Sequence, residues 1–199
     1  MTATTTVTVQ PVLADLLPKV RARTVVLVVA GALFTAAASQ VRIPLGFTPV
    51  PINLATFAAV LTGGALGMRR GVASMGLYLV LGMVGLPFFA EASGGWTHFS
   101  GATGGYLLAY PAMAAIVGFA AERGRDRRVG PFIFAVALAN LAVYVLGASW
   151  LAHVVEVPLL GADPSAFSMG IRPFLAGDIL KMLAAGLLLP ATWKLIGER

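Results

Sequence analysis

The chain has 199 residues, 58% of them hydrophobic and only 11% charged, with a mean hydropathy of +0.88. A soluble domain carries about 25% charged residues, so the composition excludes an ordinary soluble globular domain and points to the membrane class. The absence of cysteine excludes a disulfide framework, thiol chemistry and Cys-based zinc sites, and the net charge of +6 reads as topology-setting loop charge, not a nucleic-acid footprint.

Residues 1–22 are Thr-rich and contain Pro11 and Pro18. They read as a cytoplasmic N-terminal tail ahead of a membrane domain over 23–199. Thr24–Val41 is the first expected span. Pro44, Pro49 and Pro51 then favour an extended or turning lead-in, so the second span is expected to start near Pro51 and to close at Arg69 and Arg70. Gly71–Leu86 is the third. Pro87–Gly105 is a Gly-rich loop that carries Glu91 and His98. Gly104–Ala121 is the fourth span, Glu122–Arg128 a basic loop, and Pro131–His153 the fifth. Glu156–Arg172 is a second turn-rich loop, and Pro173–Trp193 is the sixth span. The expected fold class is therefore all-α integral membrane, with six transmembrane helices.

An even number of spans leaves both termini on one side. Eleven of the 14 Lys and Arg fall on the side of the termini, while Arg42 and Arg172 lie in the opposite loops and Lys181 within a span. The positive-inside rule then makes the termini cytoplasmic.

Asp178 and Lys181 stand out within the sixth span. A charge in hydrocarbon costs at least about 2.5–3.5 kcal/mol, and such residues usually face a bundle interior or a wet cavity. Measured from Pro173 at about 1.5 Å per residue, they lie ~8 Å and ~12 Å in, on one helix face. They fit a pocket open to the outside: Asp178 would accept from ligand N–H groups, and Lys181 would pair with a carbonyl or carboxylate. The plainer alternative is a mutual salt bridge that holds the helix to its neighbours. Glu91 is either a solvated loop charge or a pocket residue, and His98 a solvated or structural histidine. Trp96, Phe88, Phe89, Phe99 and Tyr106 suit an interfacial belt or a pocket lining, whereas Trp150 and His153 read as interfacial. Ala32 and Ala36 on the first span have a small-xxx-small spacing that permits close helix approach. No phosphate-binding G-x-x-x-x-G-K-[ST] and no H-E-x-x-H is present.

Phe47–Gly71 (FTPVPINLATFAAVLTGGALGMRRG), Tyr78–Ala90 (YLVLGMVGLPFFA), Gly101–Pro111 (GATGGYLLAYP) and Phe174–Lys181 (FLAGDILK) together resemble the biotin-specific S components of energy-coupling factor transporters, the BioY family. The resemblance covers nearly the whole chain after the tail. It implies an S-component fold and a multi-pass protein of the bacterial plasma membrane that takes biotin as transported ligand, with no cofactor and no enzymatic activity. It also implies as partners the lipid bilayer, a transmembrane coupling protein and two ABC-type ATPases. Self-assembly into a homo-oligomer is compatible with it. Asp178 and Lys181 in the GD-x-x-K motif would hold the ureido ring or the carboxylate, and Thr103 and Tyr106, in the TGGY stretch, would shape the pocket. In such proteins small residues of the first helix meet the coupling protein, a role that falls here on Ala32 and Ala36. Two positions depart from the family pattern. Ala55 stands where Gln is common, so a polar contact from the second helix is lost or moved to Asn53 or Thr56, and Glu91 stands where Gly or Asn is more usual. The competing readings are an S component for another vitamin and an intramembrane hydrolase or transferase.

Overall fold

The structure, a computed structural model, describes residues 9–18 and 22–197. Lys19, Arg21 and Arg199, three cations of the charge bias, lie outside these residues, as does the tail segment 1–8. The elements in chain order are α1 (Arg23–Gln40), β1 (Arg42–Ile43), β2 (Ile52–Asn53), α2 (Ala55–Leu66), α3 (Met68–Met83), α4 (Trp96–Phe99), α5 (Gly104–Ala121), α6 (Val129–Val155), α7 (Ala166–Gly170) and α8 (Leu175–Ile196). Of these, α1, α5, α6 and α8 are long and apolar enough to cross a membrane.

The bundle is organised around α5, which is flanked by α2, α3 and α6; α1 leans on α2 and α3, and α8 on α2 and α6. The central position follows from composition. Gly104, Gly105, Ala109, Ala114, Gly118, Ala120 and Ala121 let neighbours approach from several sides, and all are buried. The outer helices are built inside-out relative to a soluble protein. On α1 the buried residues are Gly31, Ala32, Thr35, Ala36 and Ser39, while Val25, Val26, Leu33 and Phe34 point outward. Lipid is as apolar as Leu, so close packing of small residues, not burial of large ones, decides which face turns inward.

Ala32 and Ala36 face into the bundle. They are 0% and 8% exposed, and a Cβ on the adjoining Gly31 would meet Ser74 of α3 and Thr62 of α2. The small-residue spacing brings α1 close against α2 and α3 within the chain.

Two boundaries differ from the sequence expectation. The second helix starts at Ala55, not near Pro51, because Ile52–Asn53 pairs antiparallel with Arg42–Ile43, with Arg42 opposite Asn53. Arg69 and Arg70 lie in the first turn of α3 and do not form a loop. Gly67 alone joins α2 to α3, at φ +83°, a conformation that Gly reaches without a Cβ clash. The Glu122 carboxylate accepts from Met68 N at 2.9 Å and so satisfies an otherwise orphan N–H at the start of α3.

Residues 9–18 pack onto the bundle end that holds Arg70, Glu122 and Trp193. Val12 and Ala14 are buried with Ala121, and Gln10 N donates to Glu122 O at 2.7 Å. Asp15 Oδ1 lies 2.9 Å from both Arg23 Nη2 and Arg70 Nη1.

Candidate ligand-binding site

The opposite end, where α1, α3 and α6 finish and α2, α5 and α8 begin, contains a cavity of about 170 Å³. Asp178 sits in the first turn of α8, where the positive end of the helix dipole favours a carboxylate. Pro173 lies outside the helix, so the residue is shallower than a count from Pro173 predicts. Its side chain is nearly buried but fully engaged. Oδ1 is 2.9 Å from Lys181 Nζ, and Oδ2 accepts from Tyr144 Oη at 2.6 Å. Lys181 also donates to Thr56 Oγ1 on α2, at 3.2 Å. The pair thus tethers α8 to α2 and α6 and presents its polar edge to the cavity.

The other sequence-predicted residues come to the same place. Asn53, Glu91, Thr103 and Tyr106 all line the cavity with Asp178 and Lys181. Asn53 Oδ1 accepts from Ala55 N at 3.0 Å and so starts α2. Tyr106 is seated between Gly147 and Gly170, positions where a Cβ would collide with its ring or hydroxyl; Oη donates to Gly170 O at 2.8 Å. Thr103 precedes the first turn of α5. The preceding GATGG turn is held by Trp150, whose Nε1 donates to Gly101 O at 2.8 Å. Trp150 is therefore a support for the pocket wall as well as a residue near the bundle end.

The Gly-rich loop lines the cavity with Phe89, Ala90, Glu91 and His98. Phe89 is fully buried, with its ring edge on Tyr78 at 5.6 Å and its face along His98 at 5.5 Å. Gly82 leaves the space that this ring fills. Gln40, the last residue of α1, clasps the loop: Nε2 donates to Phe89 O at 3.0 Å and Oε1 accepts from Ala92 N at 2.9 Å. Arg42 Nη1 lies 2.7 Å from Glu91 Oε1. Burial holds the His98 pKa below the usual imidazole value, against the upward pull of Glu91.

Sequence reasoning passed over Tyr78, Tyr110 and Tyr144. The chain has four tyrosines, and all four line this cavity. The signal was available: a phenol inside an apolar span needs a partner, and every one falls within a span expected from the sequence. Together the site offers two carboxylate acceptors, Asp178 and Glu91, with Lys, Thr and Tyr donors and apolar rings, a combination suited to a compact small molecule with both N–H and C=O groups.

The BioY family model matches residues 8–198 of this chain. The chain belongs to the BioY family. It is 34% identical over 165 residues to a probable biotin transporter BioY of Pyrococcus horikoshii, covering 83% of this chain and 93% of that protein. It is also 34% identical over 160 residues to the biotin transporter BioY of Thermotoga maritima, covering 80% and 89%. The fold is similar to the crystal structure of the S-component for biotin from an ECF-type ABC transporter, with a TM-score of 0.78 and 28% identity over 87% of this chain and 92% of that one. BioY relatives are transporters, not enzymes. In this BioY chain the GD-x-x-K segment supplies Asp178 and Lys181 to the cavity, and the PVPINL segment supplies Asn53 and leads to Thr56.

Proposed function

We propose that this chain is a biotin-capturing S component, which binds biotin from outside and delivers it inward with an ATP-driven coupling module. The observation that carries the proposal is the Asp178–Lys181–Thr56–Tyr144 cluster at the wall of a small cavity in a BioY-family chain. Biotin has a ureido ring with two N–H donors and one carbonyl, an apolar thioether ring and a carboxylate tail. Asp178 accepts from ureido N–H groups; Lys181 and Thr56 answer the carbonyl. Tyr106, Tyr78 and Phe89 cover the rings, and Asn53, Thr103 and Glu91 complete the lining.

In this reading all six longer helices cross the plasma membrane of a bacterium, with the cavity outside and both termini in the cytoplasm. The cations support that orientation. Arg23, Arg69, Arg70, Arg123, Arg125, Arg127, Arg128 and Lys194 cluster at the end remote from the cavity. The residues from 23 onward form the membrane domain. The partners are a transmembrane coupling protein and two ABC-type ATPases, which provide the energy for which this chain has no phosphate-binding motif.

The test is equilibrium binding of radiolabelled biotin to purified protein. Saturable binding at nanomolar to micromolar biotin is expected, and its absence removes the proposal. Asp178→Asn keeps the shape but loses the charge-assisted bonds, each worth about 1.5–3 kcal/mol, so affinity falls about tenfold to a hundredfold or beyond. An unchanged affinity makes the pair structural.

A further inference from the structure

Resting on the biotin reading, we infer that Arg42 recognises the carboxylate of the ligand and that Glu91 stands in for that carboxylate while the cavity is empty. Arg42 lies directly opposite Asn53 in the two-stranded ladder, and opposed residues project their side chains to the same face. Asn53 lines the cavity, as does Glu91, to which the guanidinium reaches. Arg42 therefore spans the rim between two lining residues. Its planar fork carries five donors suited to a carboxylate, and Glu91 is its ion-pair partner among the described residues.

The cation that lines the cavity itself is already committed: Lys181 is bonded to Asp178 and to Thr56, both on the wall. Its position also fits the ureido end, which leaves the tail carboxylate to be met elsewhere. Asp178 and Glu91 balance Lys181 and Arg42, so an entering monoanion leaves one negative charge in excess unless a resident carboxylate withdraws. Glu91 is the one able to do so. Its side chain is 57% exposed, so it turns into water at small cost, whereas Asp178 is held by two partners. The backbone fits this role. Glu91 and Ala92 have φ +67° and +51°, conformations uncommon for side-chain-bearing residues. Gln40 fixes the segment through Ala92 N, so the carboxylate is aimed at Arg42 by the loop itself.

A plain latch, in which Arg42 and Glu91 merely hold the loop shut, predicts the same sign for loss of either partner. The inference predicts opposite signs. Labelled biotin and its neutral isostere biotinamide are to be bound to the parent, Arg42→Gln and Glu91→Gln. The parent is expected to prefer the acid. Arg42→Gln weakens biotin about tenfold or more while biotinamide stays within about twofold, and Glu91→Gln tightens biotin alone. The amide also reports that each variant is folded. If both variants weaken acid and amide alike, or Glu91→Gln leaves biotin unchanged, the stand-in role is overturned. A parent that binds acid and amide equally removes the inference and leaves the biotin reading intact; a parent that binds neither removes both.

Discussion

The two ends of the bundle use the same residue types to opposite purposes. At the cavity end, Asp178 bonds Lys181 and Tyr144, and each of these three groups also borders open space. At the other end, Asp126 is fully buried, accepts from Trp193 Nε1, and is roofed by Arg127 stacked on the Trp193 ring at 4.5 Å. Residues 9–18 then cover that end, with Asp15 bridging Arg23 and Arg70. A carboxylate with partners is thus no mark of function by itself. What separates the ends is whether the carboxylate still faces room for a ligand: Asp178 does, while Asp126 is sealed in with Oδ1 left without a hydrogen bond among the described residues.

Substitutions that touch one end should leave the other unaffected, and the largest expected effect tests that separation. Trp193 is 1% exposed and holds Asp126. Trp193→Ala leaves a cavity and an orphan carboxylate and should cost about 3–5 kcal/mol of stability, read by thermal unfolding in detergent. Biotin affinity of the folded fraction should stay within about twofold of the parent. A parallel fall in affinity would mean that the two ends are coupled and that the contrast is only apparent.

A smaller effect sharpens the functional side. Tyr144→Phe keeps the ring on the cavity wall and removes the hydroxyl from Asp178. Hydrogen bonds between membrane helices are worth about 0.6–1.7 kcal/mol, so stability should change little. Biotin affinity should drop roughly three- to tenfold, because Asp178 loses the bond that fixes its orientation. Binding isotherms of parent and variant decide it; a large stability loss with unchanged affinity would make Tyr144 a strut.

How much of this was legible in the sequence depended on which force acts at each place. α5 begins and ends where the apolar run does, because uniform small and apolar residues leave a single reading. α2 was misplaced because Pro49 and Pro51 suggest a helix start, while the decisive interaction is the pairing of Ile52–Asn53 with Arg42–Ile43, remote in sequence. Ala32 and Ala36 announce close packing but not the partner; only the neighbouring helices show that α2 and α3 take that face. Asp178 and Lys181 were legible because charge in an apolar span has few explanations. Asp126 was not, since in the run ERGRDRR it resembles one more solvated loop charge.

The smallest expected effect concerns the pH response of the closed end. Burial raises the Asp126 carboxyl to a pKa of about 6 from an ordinary 3.8, and the bond from Trp193 and the nearby Arg127 only partly offset it. A carboxyl whose folded value is raised holds its proton more tightly when folded. Its contribution to stability is therefore complete below about pH 3.8 and is lost as pH rises through about 6. Asp15 has the opposite sign. Burial pushes it up, but the Val12 N–H, Arg70 and Arg23 outweigh this and hold it below its usual value, so its contribution is present at neutral pH and lost on acidification below the ordinary carboxylate range. Asp126→Asn keeps an acceptor for Trp193 and removes the titration. The variant should show a flatter stability profile between about pH 4 and 6 than the parent, while the loss at lower pH, where Asp15 titrates, should persist. Unfolding midpoints across that range, at fixed detergent and salt, measure both limbs. Two parallel profiles would mean that Asp126 is ionised throughout, held by Arg127 instead of sealed from water, and the closed end would then resemble the open one more than its burial indicates.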